Sequence, residues 1–445
     1  MSWRILRVGY YAKGGGSMPG TRPSFLLFAI SLTLIVALVF ALPLFAADTE
    51  KVLKHFTGKN GYSPEGGLIF DAAGNLYGTT NWGGLNQCGY AGGCGIVFEL
   101  TPQADGTWKE TVLHKFTFRE GGNPAAGLIF DNAGNLYGTA TGCGSDGCSE
   151  GAVFELGRQA DGKWKLKVLY RPVEPWGPVI FDQAGNLYGT DEAGGEKGLG
   201  AVFELTPHAN GKWTAKTLYS FDYGKNDANG QYPFGGLVFD AAGDLYGVTG
   251  EGGIVGGICG GFGCGTVYEL APQPDGTWKE SVLHRFNGKD GDIVDAGLII
   301  DAQGNLYGTA SSGGSQLCDT YSCGLVFELV PQGGGKWEER VLHNFDFSGG
   351  WGSEAGLTFD SAGNLYGTTS YGGVTCNGDS RGCGTAFEMI PLGGGKWRYE
   401  VLFKFRGGDG AYPSSNLTFD SSGNLYGETY GGGRIDAGAV FELTP

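Results

Sequence analysis

The sequence predicts an all-β fold, a seven-bladed β-propeller with four antiparallel strands in each blade. A phrase of the form D-x-x-G-(N/D)-L-Y-G occurs seven times. Each copy follows an apolar run and precedes a "VFEL"-like run, and the copies recur about every 60 residues, a period typical of repeat folds. The seventh copy lacks a fourth strand, which residues near the N-terminus could supply. Propeller blades are four-stranded sheets arranged around a channel, so these units match that fold.

The first repeat shows the four predicted strands as "GLIFD" (a), "NLYGTT" (b), "GIVFELTP" (c) and "WKETVLHKF" (d). Short runs of aromatic and β-branched residues between glycine-rich turns are typical of strands. The repeated phrase begins at Asp71, Asp131, Asp182, Asp240, Asp301, Asp360 and Asp420.

Turn lengths separate the two faces of the predicted propeller. The a–b and c–d turns keep constant lengths, and Asp-x-x-Gly-Asn suits a tight turn with an aspartate cap and a glycine at positive φ. The b–c and d–a loops vary in length. Because neighbouring strands run in opposite directions, all variable loops lie on one face, which we call the variable face.

Closure of the ring is predicted from the two ends of residues 48–445. The last repeat ends at Pro445 after strand c, whereas "DTEKVLKHF" (48–56) reads as an isolated strand d. We expect this strand to complete the seventh blade, with Val52 and Leu53 beside Phe441.

Residues 1–47 read as a signal peptide or as an uncleaved N-terminal anchor. Basic residues precede the apolar run 25–42, the order found in secretion signals. We therefore expect export to an extracellular, periplasmic or cell-surface location, with membrane contact only through an uncleaved anchor. A net charge of −16 repels phosphate backbones, so no nucleic-acid partner is expected. Separately, we expect the protein to be a monomer.

The ten cysteines form five close pairs, each in a b–c loop. Local pairs in an exported protein predict disulfides that close small rings, and zinc ligation by two pairs is the alternative. The pairs are Cys88–Cys94, Cys143–Cys148, Cys259–Cys264, Cys318–Cys323 and Cys376–Cys383.

Acidic and histidine residues give little support for catalysis. The "VFEL" glutamate recurs in all seven blades, so it is expected to bond a neighbouring strand rather than to react. His114, His284 and His343 share one position on the outer strand d, which argues against a histidine-based catalytic or metal site. We expect no catalytic residue and no cofactor, although loops such as "GKDGDIVD" (288–295) leave calcium binding open.

The chain departs from its repeat just before strand a, at the predicted channel mouth. The seven blades carry Glu65, Ala125, Trp176, Phe234, Asp295, Glu354 and Ser414 at this position. This pattern predicts an acidic wall facing an aromatic wall. Further aromatic residues on variable-face loops either bind ligand or pack the loops; they are Trp82, Tyr90, Tyr223, Tyr232, Trp351, Tyr371, Tyr412 and Tyr430.

Repeats reading "GLIFDAAGNLYGTT" and "VFELTP", followed by "W" and "VLHKF", resemble the Gloeo/Verruco (GloVer) tandem repeat of exported bacterial choice-of-anchor proteins. The resemblance covers essentially all of 48–445 and implies export and surface residence, without any catalytic residue to carry over. The "D-x-x-G-N-L-Y" step is also similar to the NHL and streptogramin-lyase propellers.

The sequence thus favours an exported, non-catalytic module that binds a glycan or another extracellular ligand at the variable face. One alternative is a lyase or lactonase that holds a metal with Glu65, Asp295 and Glu354. Another is a structural envelope or matrix protein.

Overall fold

The chain forms the predicted seven-bladed, all-β propeller. The structure is a computed structural model that describes residues 49–84, 92–142, 150–222, 229–315, 317–318, 321–376 and 378–444. The N-terminal segment 1–47 lies outside these residues, as do Cys88, Cys143, Cys148, Tyr90 and Tyr223, so predictions for them remain predictions.

Each blade is an antiparallel sheet with strand order a-b-c-d, and strand a is the innermost. The a strands are Ile69–Phe70, Ile129–Phe130, Ile180–Phe181, Val238–Phe239, Ile299–Ile300, Thr358–Phe359 and Thr418–Phe419. The b strands are Leu76–Thr80, Leu136–Ala140, Leu187–Asp191, Leu245–Thr249, Leu306–Ala310, Leu365–Thr369 and Leu425–Thr429. The c strands are Ile96–Pro102, Ala152–Arg158, Ala201–Pro207, Thr266–Pro272, Leu325–Gly333, Thr385–Gly393 and Ala439–Thr444. The d strands are Trp108–Lys115, Trp164–Tyr170, Trp213–Ser220, Trp278–Arg285, Lys336–Asn344, Lys396–Lys404 and, for blade 7, Thr49–His55.

Strand a is shorter than the sequence predicts. Only two of the five residues of "GLIFD", Ile69 and Phe70, pair with strand b, and strand a is equally short in the other six blades. Outside the blades, the described residues add the short pairs Gly230–Gln231 with Glu251–Gly252 and Leu317–Cys318 with Tyr321–Ser322, and the 3-10 turns Phe118–Glu120 and Gly257–Cys259.

The predicted ring closure is confirmed. Thr49–His55 pairs antiparallel with Ala439–Thr444, and Val52 lies opposite Phe441. Phe56, which follows this strand, packs edge-on against Phe98 of blade 1 with ring centroids 5.2 Å apart. The N-terminal strand therefore completes blade 7 and also seals its contact with blade 1.

Aromatic residues fill the spaces between blades. Phe98 of strand c is fully buried, and its counterparts in the other blades are equally enclosed. A Cβ on Gly78 of strand b would lie 2.6 Å from Phe98 Cζ, so this close approach requires glycine. The strand d tryptophans also bridge blades, since Trp108 packs 6.2 Å from Tyr426. Replacing one such buried phenylalanine by alanine typically costs about 3–5 kcal/mol.

The constant a–b turn is held by its aspartate. Asp71 Oδ1 accepts hydrogen bonds from the backbone N–H groups of Ala73 and Asn75, each 2.9 Å long, and Oδ2 accepts from Asn75 Nδ2 at 2.8 Å. Gly74 takes the predicted positive φ, here 83°. The Tyr77 hydroxyl lies 3.1 Å from Asp71 Oδ2 and 3.0 Å from Glu99 Oε1. The repeated glutamate thus bonds a neighbouring strand, as its repetition predicts.

Three predicted disulfides are present, Cys259–Cys264, Cys318–Cys323 and Cys376–Cys383. Cys94 is also disulfide-bonded, while its predicted partner lies outside the described residues. Within the described part of the chain, no helix is long and apolar enough to cross a membrane.

Candidate functional site

The seven positions before strand a meet at one end of the channel. Their residues, Glu65, Ala125, Trp176, Phe234, Asp295, Glu354 and Ser414, all line a single cavity of about 430 Å³. We call this cavity the channel mouth. Each side chain arrives from the variable d–a loop of a different blade, so residues far apart in sequence face one another across the axis.

One wall of the channel mouth is aromatic. The rings of Trp176 and Phe234 stack with centroids 5.2 Å apart and planes inclined by 18°. Both side chains are half-buried, so part of each ring remains open to the channel. Stacked rings form a flat apolar surface of the kind that packs against the apolar face of a ligand.

The acids of the channel mouth have few hydrogen-bond partners. Burial raises the pKa of Glu65 to about 7; the hydrogen bond from Asn81, 3.4 Å long, opposes this shift, and the charge of Glu354 adds to it. Burial likewise raises the pKa of Asp295 to about 7, with Glu354 contributing. With pKa values near 7, the carboxyl groups of Glu65 and Asp295 are partly protonated at neutral pH.

Glu354 is the most open of these acids and is exposed to the channel. The Ser370 hydroxyl donates to its Oε2 at 3.1 Å. Desolvation by the surrounding protein raises the pKa of the Glu354 carboxyl, and the hydrogen bond from Ser370 opposes this shift. Glu354 is therefore the carboxyl best placed to meet a ligand in the channel.

A second cavity, of about 320 Å³, adjoins the channel mouth and shares Glu65, Glu354 and Ser414 with it. It adds a cluster of loop side chains, Ser370, Tyr371, Arg381, Tyr412 and Tyr430. The Arg381 guanidinium lies 4.6 Å from the centre of the Tyr371 ring, a cation–π contact. Asp379 fixes this cluster, since its Oδ2 accepts from Arg381 Nη2 at 2.8 Å and from the Tyr412 hydroxyl at 3.0 Å.

Among the described residues, the other predicted loop aromatics, Trp82, Tyr232 and Trp351, lie outside both cavities. Trp351 is only 6% exposed and stacks 4.6 Å from Tyr371, so it supports a ring that lines the second cavity. Tyr232 packs on the core between blades 3 and 4, and Trp82 is half-buried in the first b–c loop. The loop aromatics therefore divide between lining and packing.

Sequence reasoning missed Glu428, which is fully buried beside the channel mouth. In most blades this strand b position holds a threonine that bonds a backbone carbonyl of the next blade, as Thr79 does with Ala126. Glu428 Oε2 instead accepts from the Gly67 N–H at 2.8 Å. Burial raises its pKa to about 8, and Glu65 contributes. The change from "LYGTT" to "LYGET" was the available signal.

Sequence reasoning also missed a three-residue cluster far from the channel mouth. Ligand atoms of His284, Asp290 and Glu339 lie within 4.8 Å of one another; among the described residues no other trio of His, Cys, Asp or Glu side chains does so. The sequence placed the strand d histidines away from the variable face, yet His284 reaches Asp290 of a d–a loop. Its neighbour Glu339 comes from the next blade, a contact that the sequence does not reveal.

The chain matches a known family of repeat proteins. The family model of the Gloeobacter/Verrucomicrobia repeat matches residues 89–316 and 258–445. The chain therefore belongs to this repeat family. No curated protein matches the chain.

Two solved structures resemble the chain. A streptogramin B lyase aligns with 12% identity and a TM-score of 0.52 over 89% of this chain and 97% of its own. A candidate gluconolactonase aligns with 13% identity and a TM-score of 0.40 over 89% of this chain and 92% of its own. At this level of identity, the first likeness concerns the fold alone.

Proposed function

We propose that this protein is an exported propeller that binds a glycan at the channel mouth without transforming it. The observation that carries the proposal is the stacked Trp176–Phe234 pair, which shares one cavity with Glu65, Asp295 and Glu354. Sugar rings offer apolar faces to aromatic side chains and hydroxyls to carboxyl groups. A cavity of about 430 Å³ matches the size of ordinary small-molecule sites.

The raised pKa values of the acids favour a neutral, polyhydroxylated ligand. A protonated carboxyl both donates and accepts hydrogen bonds, whereas a carboxylate only accepts. With the pKa values of Glu65 and Asp295 near 7, both forms are populated at neutral pH, so hydroxyls can be met as donors or acceptors.

The test is a glycan array probed with the full chain, followed by calorimetric titration of each hit. We expect Trp176→Ala with Phe234→Ala to weaken binding at least tenfold, because both stacking surfaces are lost. Phe262→Ala is the matched control, since Phe262 is a 69% exposed aromatic of a b–c loop outside both cavities. If the double variant bound the ligand as tightly as the wild type, the binding site would lie outside the channel mouth. If no glycan on the array bound, a structural envelope or matrix role would be favoured.

Metal-assisted lyase or lactonase activity at Glu65, Asp295 and Glu354 has less support. Burial, with a smaller contribution from the charge of Glu354, raises the pKa values of Glu65 and Asp295, and a bound cation would lower both. Among the described residues, however, the carboxyl oxygens of these three acids do not form a cluster whose members all lie within 4.8 Å of one another. This alternative would be supported if a chelator lowered the melting temperature of the wild type but not that of Glu65→Gln.

Export is supported by the local disulfides, which form and persist mainly in oxidising compartments. The basic and apolar pattern of residues 1–47 agrees with it. Fractionation of the producing cells, with mass spectrometry of the N-terminus, tests both export and cleavage. Full-length protein in the cytoplasm with free thiols would contradict export.

A further inference from the structure

We propose that blades 4 and 5 hold a divalent transition-metal ion of the zinc class at their outer edge. His284, Asp290 and Glu339 are its protein ligands. The site is distinct from the channel mouth and independent of the proposed function.

The three ligands come from three separate elements. His284 lies on strand d of blade 4, Asp290 on the loop that follows it, and Glu339 on strand d of blade 5. Their ligand atoms lie within 4.8 Å of one another, and His284 Nε2 is 3.4 Å from Asp290 Oδ2. The three groups are therefore close enough together to be ligands of a single ion.

Neighbouring groups hold two of the ligands in place. The backbone N–H of Asn287 donates to Asp290 Oδ1 at 2.8 Å, and the Asn287 side-chain amide donates to Oδ2. The His284 ring packs edge-on against Phe286, with centroids 4.7 Å apart. Such support from surrounding residues orients metal ligands and strengthens binding.

Two buried ligand atoms have no hydrogen-bond partner in the protein. They are His284 Nε2 and Glu339 Oε1. The separation of 3.4 Å between His284 and Asp290 lacks hydrogen-bond geometry. Buried polar atoms left without partners are costly, and a cation between them would satisfy both.

The junction between blades 7 and 1 shows what the same position does without a metal. Glu110 corresponds to Glu339, but Lys54 occupies the histidine position and Asn60 the aspartate position. Lys54 Nζ forms an ion pair with Glu110 Oε2, and Asn60 Nδ2 donates to the same oxygen at 2.6 Å. The protein's own lysine thus supplies the positive charge there.

The junction between blades 1 and 2 keeps two of the three groups. His114 Nε2 lies 3.3 Å from Glu120 Oε2, in hydrogen-bond geometry, and Leu166 replaces the third ligand. Only two potential ligands remain at that junction, and they satisfy each other. This junction therefore provides an internal control.

The donor set indicates the metal. An imidazole nitrogen with two carboxylates suits zinc and its neighbours, whereas calcium and magnesium prefer oxygen ligands alone. The His284 and Asp290 side chains keep 20% and 15% of their surface exposed, so water can fill a fourth position. Three protein ligands with water in the fourth position are the arrangement found in catalytic zinc sites.

Calorimetric titration of Zn²⁺ and Ca²⁺ into untagged, chelator-treated full chain tests the proposal, with disulfides shown intact by thiol assay. We expect one high-affinity Zn²⁺ per chain and an affinity at least tenfold lower in His284→Phe and in Glu339→Gln. Phenylalanine is the residue that blade 6 carries at this position, as Phe403, so the fold should tolerate it.

The matched control is His114→Phe, which should bind Zn²⁺ as the wild type does. Circular dichroism establishes that each variant is folded. Unchanged Zn²⁺ affinity in both ligand variants, no stoichiometric Zn²⁺ binding by the wild type, or Ca²⁺ binding in its place would each overturn the proposal.

Discussion

Two acids on opposite faces of the propeller, Asp71 and Glu65, behave in opposite ways. Asp71, in a constant turn, accepts hydrogen bonds from two backbone N–H groups and an amide, and these bonds outweigh its partial burial and lower its pKa. Glu65 lies only six residues earlier, at the channel mouth, where one long hydrogen bond leaves burial dominant and its pKa rises to about 7.

The difference teaches how to read a repeat protein. The turn aspartate, present in every blade, serves what every blade needs, and at Asp71 and Asp420 the surrounding hydrogen bonds lower its pKa. An acid present in a few blades is left under-satisfied, as groups poised for a ligand frequently are. We expect this contrast between the constant turns and the channel mouth to appear in the pH dependence of stability and in ligand binding.

The largest effect is expected from pH. Glu65 and Asp295 have pKa values near 7 in the folded protein, against 4.5 and 3.8 ordinarily, so the folded state binds more protons than the unfolded state between these limits. Stability is therefore fully present below about pH 4 and falls as the pH rises through 7. We expect the free energy of unfolding to drop by about 5 kcal/mol from pH 5 to pH 8, about half of it from each acid, measured by urea denaturation. A flat or rising profile would contradict the raised values.

Asp71→Ala should destabilise the protein at both pH values by about 2 kcal/mol, because the turn N–H groups and Asn75 lose their acceptor. Glycan binding by the folded variant should remain unchanged. Urea denaturation and calorimetric titration measure the two effects. If binding fell while stability held, the turn aspartates would not be structural.

Glu65→Gln should act in the opposite direction. The amide removes a buried charge that is costly above its pKa, so we expect a gain of about 1 kcal/mol at pH 8 and little change at pH 5. Urea denaturation of wild type and variant at the two pH values measures this difference. A loss of stability at pH 8 would show that the Glu65 charge is compensated.

The smallest effect concerns a repeated position that already has an exception. Thr368 Oγ1 donates to the Ser415 carbonyl of the next blade at 3.3 Å, whereas blade 4 carries Val248 at this position. Thr368→Val should therefore cost about 0.5 kcal/mol, since the hydrogen bond is long and the shape is conserved. A cost several times larger in thermal denaturation would mean that blade 4 compensates elsewhere.

Much of the fold followed from local chemistry in the sequence. Asp-x-x-Gly-Asn specifies its turn within five residues, and strand pairing follows from such turns. The seven channel-mouth positions were also predictable, because the repeat register places them together. Strand a was predicted too long, because the apolar pattern of "GLIFD" does not show at which residue pairing with strand b begins.

The sequence by itself determined the blades, their number, the closing strand and the constant turns, because these depend on contacts that recur at fixed spacing. Only the tertiary structure decided the surroundings of each acid. Glu65 has a pKa near 7, Glu428 is fully buried, and Glu339 lies beside His284 of the preceding blade. The physical reason is that burial and charge depend on neighbours from other blades. Those neighbours differ at every junction, so the repeat cannot encode them.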